Sequence, residues 1–345
     1  MQKNYIQTRL EKWKVIALIV FLFMISASNA QSIVYAQNIV SEDNADNSAN
    51  AIDQDQSTFA VVRASTGIAI GIGSYSGHLE LEFPTTLNAN TTTYVKVEAE
   101  DNLFDVLLGG SLGNLLSDVL GIVIIGNQEF TIQAKLDNTI IQTGNSQIVN
   151  DFAGPNLKIV VNELGEHFIA ITPNSDYNRI RLTNRVGSLL GLNNIKELRV
   201  YSAHYVDQAD ECGNPSYTSF DGNGLTLDLI NLGGAGVINP ENAIDSNLNS
   251  YSELSLGVLN VAASIEQIVY FEGISNPNDN FNITLRLNST LIASGILNNI
   301  TITAYDGTSA VNSVYLNELI SAQLLALMQN SEIVTIPYSP GYGYR

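Results

Sequence analysis

The string NAIDQDQSTF at residues 50–59 returns as NAIDSNLNSY at residues 242–251, 192 positions further along the chain. A string repeated at that spacing points to one structural plan used twice, and the correspondence continues downstream in the same order. GHLELEFP (77–84) is matched by IEQIVYFEG (265–273), YVKVEAE (94–100) by NITLRLN (282–288), and FTIQAKLDN (130–138) by ITITAYDGT (300–308). Two tandem modules are therefore expected, at residues 31–206 and 217–345. The stretch 207–216, polar with Gly and Pro, reads as their linker.

The period within each copy is two, the period of strands. Leu79, Leu81 and Phe83 alternate with His78, Glu80 and Glu82, and Phe130, Ile132, Ala134 and Leu136 with Thr131, Gln133 and Lys135. Such alternation predicts antiparallel sheet buried on one face, with Asn, Gly, Asp and Ser clusters as turns. The expected fold class is all-β, each module an antiparallel β-sandwich. Two segments depart from the pattern. Residues 103–121, rich in Leu and Gly, are expected to form a loop or short helix capping the first sandwich, and residues 315–329 a short amphipathic helix. The second copy also stops early: aligned with the first, Tyr344 and Arg345 fall beside Asn178 and Arg179. The second module is then truncated, lacking its final strand or strands, and the sequence is expected to be the N-terminal fragment of a longer chain.

At the N-terminus Lys3, Arg9, Lys12 and Lys14 precede the apolar run Val15 to Ile25 and the string SASNA. Residues 1–30 are therefore expected to be a signal peptide cut after Ala30, with a second acceptable site after Ala36, giving a secreted, extracellular chain. No later run is long and apolar enough to insert in a membrane as a helix. Removing the first 30 residues takes away four basic residues and one acidic residue, moving the formal charge from −19 to −22. Such a surface repels nucleic acid and anionic lipid. With Cys212 the sole cysteine, no disulfide can form within the chain, and that thiol is either free or half of a bridge to another molecule. His78, His167 and His204 have no metal-ligand spacing.

Taken in order, NAIDQDQST, GHLELEF, YNRIRLT and IKELRVY resemble the opening turn, early strand, late Arg-bearing strand and closing strand of the galactose-binding-like jelly rolls, which include discoidin and coagulation-factor type C modules. The resemblance covers residues 50–201 and implies jelly-roll-like sandwiches. In that family the opening turn and a glutamate of the last strand hold a structural calcium ion. By position this implies Asp53, Asp55, Thr58 and Glu197 in the first module, and Asp245, Asn247 and Ser250 in the second, which has no matching glutamate. Calcium needs six to eight oxygens, and alternate carboxylates on a turn can converge on it. The same side chains could instead satisfy the turn's own N–H groups, with Ile52 and Ile244 anchoring it in the core. The family's glycine is replaced by Gln54 and Ser246, and its tryptophan is absent after Phe59 and Tyr251. Sugar-binding faces of such modules use loop aromatics with Arg or His, for which Tyr75, His78, Arg179, Arg181 and Arg185 are the nearest residues. The tandem layout and the Leu/Gly insertions also resemble repeated modules of large surface adhesins of Bacteroidota, especially flavobacteria.

Enzyme motifs are missing. GSYSG (73–77) places its serine one position late for a nucleophile elbow, GIGSYSG has the wrong glycine spacing for a dinucleotide loop, and H-E-x-x-H does not occur. The expected function is a non-catalytic cell-surface adhesion repeat protein whose ligand is a glycan or a protein. Carbohydrate-binding modules attached to a catalytic domain outside this sequence are the alternative.

Overall fold

The computed structural model of the chain describes residues 32–67, 72–100, 103–110, 128–148, 150–187, 195–207, 214–223, 235–256, 264–289, 292 and 295–344. The expected signal peptide, Cys212 and residues 111–121 of the Leu/Gly insertion lie outside them. Among the described residues, no helix is long and apolar enough to cross a membrane.

The first half contains β1 (Ser32–Tyr35), β2 (Asn38–Asp43), β3 (Ala45–Asp46), β4 (Ala60–Ser65), β5 (Gly77–Leu87), β6 (Thr93–Ala99), the helix α1 (Leu103–Leu108), β7 (Gln128–Leu136), β8 (Thr139–Asn145), β9 (Leu157–Val161), β10 (His167–Ile171), β11 (Tyr177–Val186) and β12 (Ile195–Asp207). The second contains β13 (Tyr217–Asn223), β14 (Ala235–Ile238), β15 (Glu253–Leu256), β16 (Ser264–Tyr270), β17 (Phe281–Leu285), β18 (Thr301–Asp306), β19 (Ser309–Tyr315), α2 (Leu316–Leu319), α3 (Ala322–Gln329) and β20 (Val334–Tyr338). The chain is all-β with antiparallel pairing, as the period of two predicts.

In the first half one sheet runs β2-β5-β11-β7-β8 and the other includes β9-β10-β6-β12-β4-β3. Their inward residues are wholly or almost wholly buried against each other: Leu79, Leu81, Ile132, Ile180 and Leu182 from one sheet, Val62, Val95, Ile169, Leu198 and Val200 from the other. Each such side chain contributes about 1.5–3 kcal/mol. α1 caps this core, Phe104 lying 5.1 Å from Phe130. On the outer face of the first sheet Glu80 is also buried, and Lys135 Nζ donates to both of its oxygens at 2.7 Å.

The second half repeats four strand pairs of the first. β13 pairs with β16 as β2 does with β5, β14 with β15 as β3 with β4, β17 with β20 as β6 with β10, and β18 with β19 as β7 with β8. What differs is how the pairs are joined. In the first half β11 lies between β5 and β7, and β12 between β4 and β6. Among the described residues of the second half no strand does either job, and β14-β15, β17-β20 and β18-β19 stand as two-stranded sheets.

Two details depart from the sequence reading. The helix expected over 315–329 is two helices, because Ile320 is extended and Ser321 caps α3, its Oγ accepting from Leu324 N. The alignment at the C-terminal end moves by one residue. Ser275 N donates to Tyr344 O at 2.9 Å, and Tyr177 is paired with Leu87, so Tyr344 takes the place of Tyr177 rather than Asn178. Each tyrosine is buried and lies eight residues beyond a buried isoleucine, Ile169 or Ile336.

The two halves also touch. β13 joins β9 through Thr218 and Val161, and the Tyr217 ring stacks on Tyr94 at 4.3 Å. His204 of β12 closes this aromatic cluster, its Nε2 lying 3.3 Å from Tyr217 Oη. Its Nδ1 is buried without a hydrogen-bond partner. Burial pushes the imidazole pKa down to about 4.

Candidate functional site

Each repeated string forms a corner that begins with an asparagine in the left-handed conformation, Asn47 at φ 53° and Asn239 at φ 50°. Asparagine tolerates that region better than most residues. A short 3-10 turn follows, Ser48–Ile52 or Pro240–Ala243, and then the acidic loop.

The loop is closed by the same bonds in both copies. Asp53 Oδ1 accepts from Asp55 N at 2.8 Å, and Asp245 Oδ1 from Asn247 N at 3.1 Å. The second oxygen of each aspartate accepts a hydroxyl five residues on, Thr58 Oγ1 at 2.7 Å or Ser250 Oγ at 2.6 Å. Asp55 Oδ1 accepts from Ser57 N at 2.9 Å and Asn247 Oδ1 from Asn249 N at 3.1 Å. Asn50 Nδ2 reaches Phe59 O and Asn242 Nδ2 reaches Tyr251 O, each at 3.2 Å, tying the start of the string to its end. The Ser57 hydroxyl and N–H together hold the Asp55 carboxyl below the usual carboxylate range. These are Asx turns in which side chains stand in for missing backbone partners.

Glu197 is not part of this net. It lies on β12 opposite Arg63 of β4, and Arg63 Nε donates to its Oε1 at 3.0 Å while the same guanidinium also meets Asp46. The structure thus brings Asp53, Asp55 and Thr58 together and does not bring Glu197 to them. In the second corner Asp245, Asn247 and Ser250 are likewise bonded to one another. Among the described residues no group of three or more His, Cys, Asp or Glu side chains could hold a metal ion. Of the positions that the resemblance assigns to calcium, those of each turn are bonded to one another, and Glu197 is bonded to Arg63.

Sequence reasoning missed what fastens the first corner to its sheets. Gln56 Nε2 donates to Ser202 Oγ of β12 at 2.8 Å, and Lys96 Nζ of β6 donates to Gln56 O at 2.8 Å. Phe59 packs 5.2 Å from Tyr201, with the Arg199 guanidinium 5.0 Å from its ring. Glu98 of β6 accepts from both Arg199 Nη1 at 2.8 Å and Tyr201 Oη at 2.5 Å. Burial and the bond to Glu98 push the Tyr201 hydroxyl up to about 12. Only the recurrence of an aromatic after each string hinted at this cluster.

No family model, curated protein or solved structure matches the chain. Its corners therefore have to be read from their own geometry.

The outward residues considered for sugar contact are engaged with their neighbours. His78 Nε2 lies 2.7 Å from Ser41 Oγ, Arg179 binds Glu82 at 2.8 Å, and Arg181 lies 3.5 Å from Glu80. Among the described residues Arg185 pairs with Glu129 alone, at 3.9 Å, and is more exposed than Arg179 and Arg181.

Proposed function

We propose that this is a non-catalytic, extracellular adhesion protein of a cell surface, an array built from two copies of one β-sandwich module. The reading rests above all on the recurrence of the same four strand pairs with the same bonded corner in both halves. An array needs each unit to be rigid at its start, and the corner supplies that by fixing the entry of β4 or β15 through side-chain bonds. In this reading the corner's carboxylates serve the loop itself, accepting from Asp55 N, Ser57 N and Thr58 Oγ1.

The strongly acidic mature chain suits a secreted protein and disfavours nucleic acid as partner. A glycan or a protein on another surface is the expected ligand. Galactose-binding-like identity adds nothing to this reading beyond the sandwich. The test is to immobilise residues 31–345 and measure retention of cells, extracellular proteins and a glycan array side by side. Adhesion to cells or proteins without selectivity for one sugar class supports the reading. Tight binding to a single sugar class would replace it with a carbohydrate-binding module serving an enzyme.

A further inference from the structure

The rim of the second corner carries apolar side chains where the first corner is covered. Aligned through the repeated string and the matching registers of β3-β4 and β14-β15, Leu248 stands at the position of Gln56, Tyr251 at Phe59 and Leu254 at Val62. Leu248 is 89% exposed, Tyr251 60% and Leu254 48%, whereas Val62 is 0% exposed beside its register partner Leu198 of β12. Gln56 and Phe59 are likewise held by β12, through Ser202, Tyr201 and Arg199. All three exposed residues thus sit where β12 would lie.

The facing wall has changed its charge. By the register of β6-β10 and β17-β20, Arg286 stands at the position of Glu98. Glu98 holds β12 by accepting from Arg199 and Tyr201. Arg286 is exposed, forms no ion pair among the described residues, and lies 5.5 Å from the Tyr251 ring. An arginine presented to a strand carrying another arginine would repel it, and one presented to a carboxylate would attract it.

Among the described residues no strand joins β15 to β17, and we propose that this opening is an acceptor site for one extended antiparallel strand, alternately apolar and bearing a carboxylate opposite Arg286. The occupant is an extended, carboxylate-bearing segment of the protein partner that takes the part β12 plays in the first module, so the inference rests on the adhesion reading above. It adds to that reading the sign of the charge on the incoming strand. The strand covers Leu248, Tyr251 and Leu254, pairs with Glu253–Leu256 on one side and Phe281–Leu285 on the other, and brings its carboxylate to the guanidinium. Main-chain pairing supplies the affinity and the side chains the selectivity.

The test adds two synthetic peptides to residues 31–345 and follows hydrogen exchange at Glu253–Leu256 and Phe281–Leu285. One peptide is this chain's own Ile195–Asp207 and the other is the same peptide with Arg199→Glu. The Arg199→Glu peptide is expected to protect both strands at about one-tenth the concentration that the unaltered peptide needs. With Arg286→Glu in the protein the order of the two peptides is expected to reverse. Equal protection by both peptides, or no reversal, overturns the charge assignment and leaves the open slot standing. If neither peptide protects these amides, or if they are already protected in the chain alone, the open slot fails as well.

Discussion

The two halves of this molecule carry the same pairs of strands and differ in what joins them, and burial follows the joining strands rather than the pairs. Leu81, Val95 and Ile132 of the first half are wholly buried, whereas Val269, Ile283 and Ile302 at the matching positions are only half-buried. Alternation is as clear in β17 and β18 as in β6 and β7, while β16 ends in the apolar run Ile268–Tyr270 in place of it. A hairpin leaves much of its apolar face in water until a neighbour covers it, so the strand pair alone does not make a core.

The largest expected difference tests that directly. Leu81→Ala empties a closed core and should cost about 3–4 kcal/mol, while Val269→Ala should cost about 1 kcal/mol because the side chain is already half in water. Urea unfolding followed by hydrogen exchange in each half measures both. Equal costs would mean that the second half is as well covered as the first.

Next in size is the junction. His204 belongs to the closing strand of the first half and has no described counterpart in the second. Its pKa, held down near 4 by burial, lies below the usual 6.5. Between those two pH values the unfolded chain binds a proton that the folded chain refuses. The contribution is therefore fully present above pH 6.5 and is lost progressively as pH falls toward 4, by up to about 3 kcal/mol. His204→Phe keeps a ring in the aromatic cluster and should flatten this slope in thermal unfolding scans from pH 7 to pH 4.5. Wild type and variant with the same slope would show that some other group governs it.

How much of this was legible beforehand follows the same division. Alternation located β5 and β7, because half-buried strands leave a period of two in the letters, and the correspondence of the two copies located β6, β16, β17 and β18. The repeated string located both corners, and the exposed face of sheet predicted Glu80 and Lys135 as outward, though not that each buries the other. The string could not show whether its carboxylates face an ion or the loop, since both arrangements use Asp, Asn and hydroxyl side chains at the same positions. Nor could it show that Glu197 is drawn to Arg63, a contact between strands 134 residues apart in sequence.

A smaller effect concerns the corners, which are the most alike parts of the two halves. Asp53→Ala and Asp245→Ala each remove one carboxylate that accepts two bonds in an exposed loop, and each should cost about 1 kcal/mol. Addition of EDTA to the metal-loaded protein should leave the melting temperature unchanged, since an ion bound to the native state would raise it. A fall on chelation would restore calcium to the corner, and a cost confined to Asp53→Ala would show that the two loops are not equivalent.

The smallest expected effect separates the corners by backbone alone. Gln54 sits at φ +66°, while Ser246, at the matching place, is not in the left-handed region. A side chain with a Cβ meets the following carbonyl oxygen in that conformation, at a cost of about 1–2 kcal/mol that glycine avoids. Glycine also gains more freedom in the unfolded chain, which offsets part of the relief. Gln54→Gly should therefore stabilise the first corner by up to about 1 kcal/mol, and Ser246→Gly should give no gain or a slight loss. Thermal unfolding of the two variants decides it: a gain at Ser246 equal to that at Gln54 would mean that loop strain is not what sets the two corners apart.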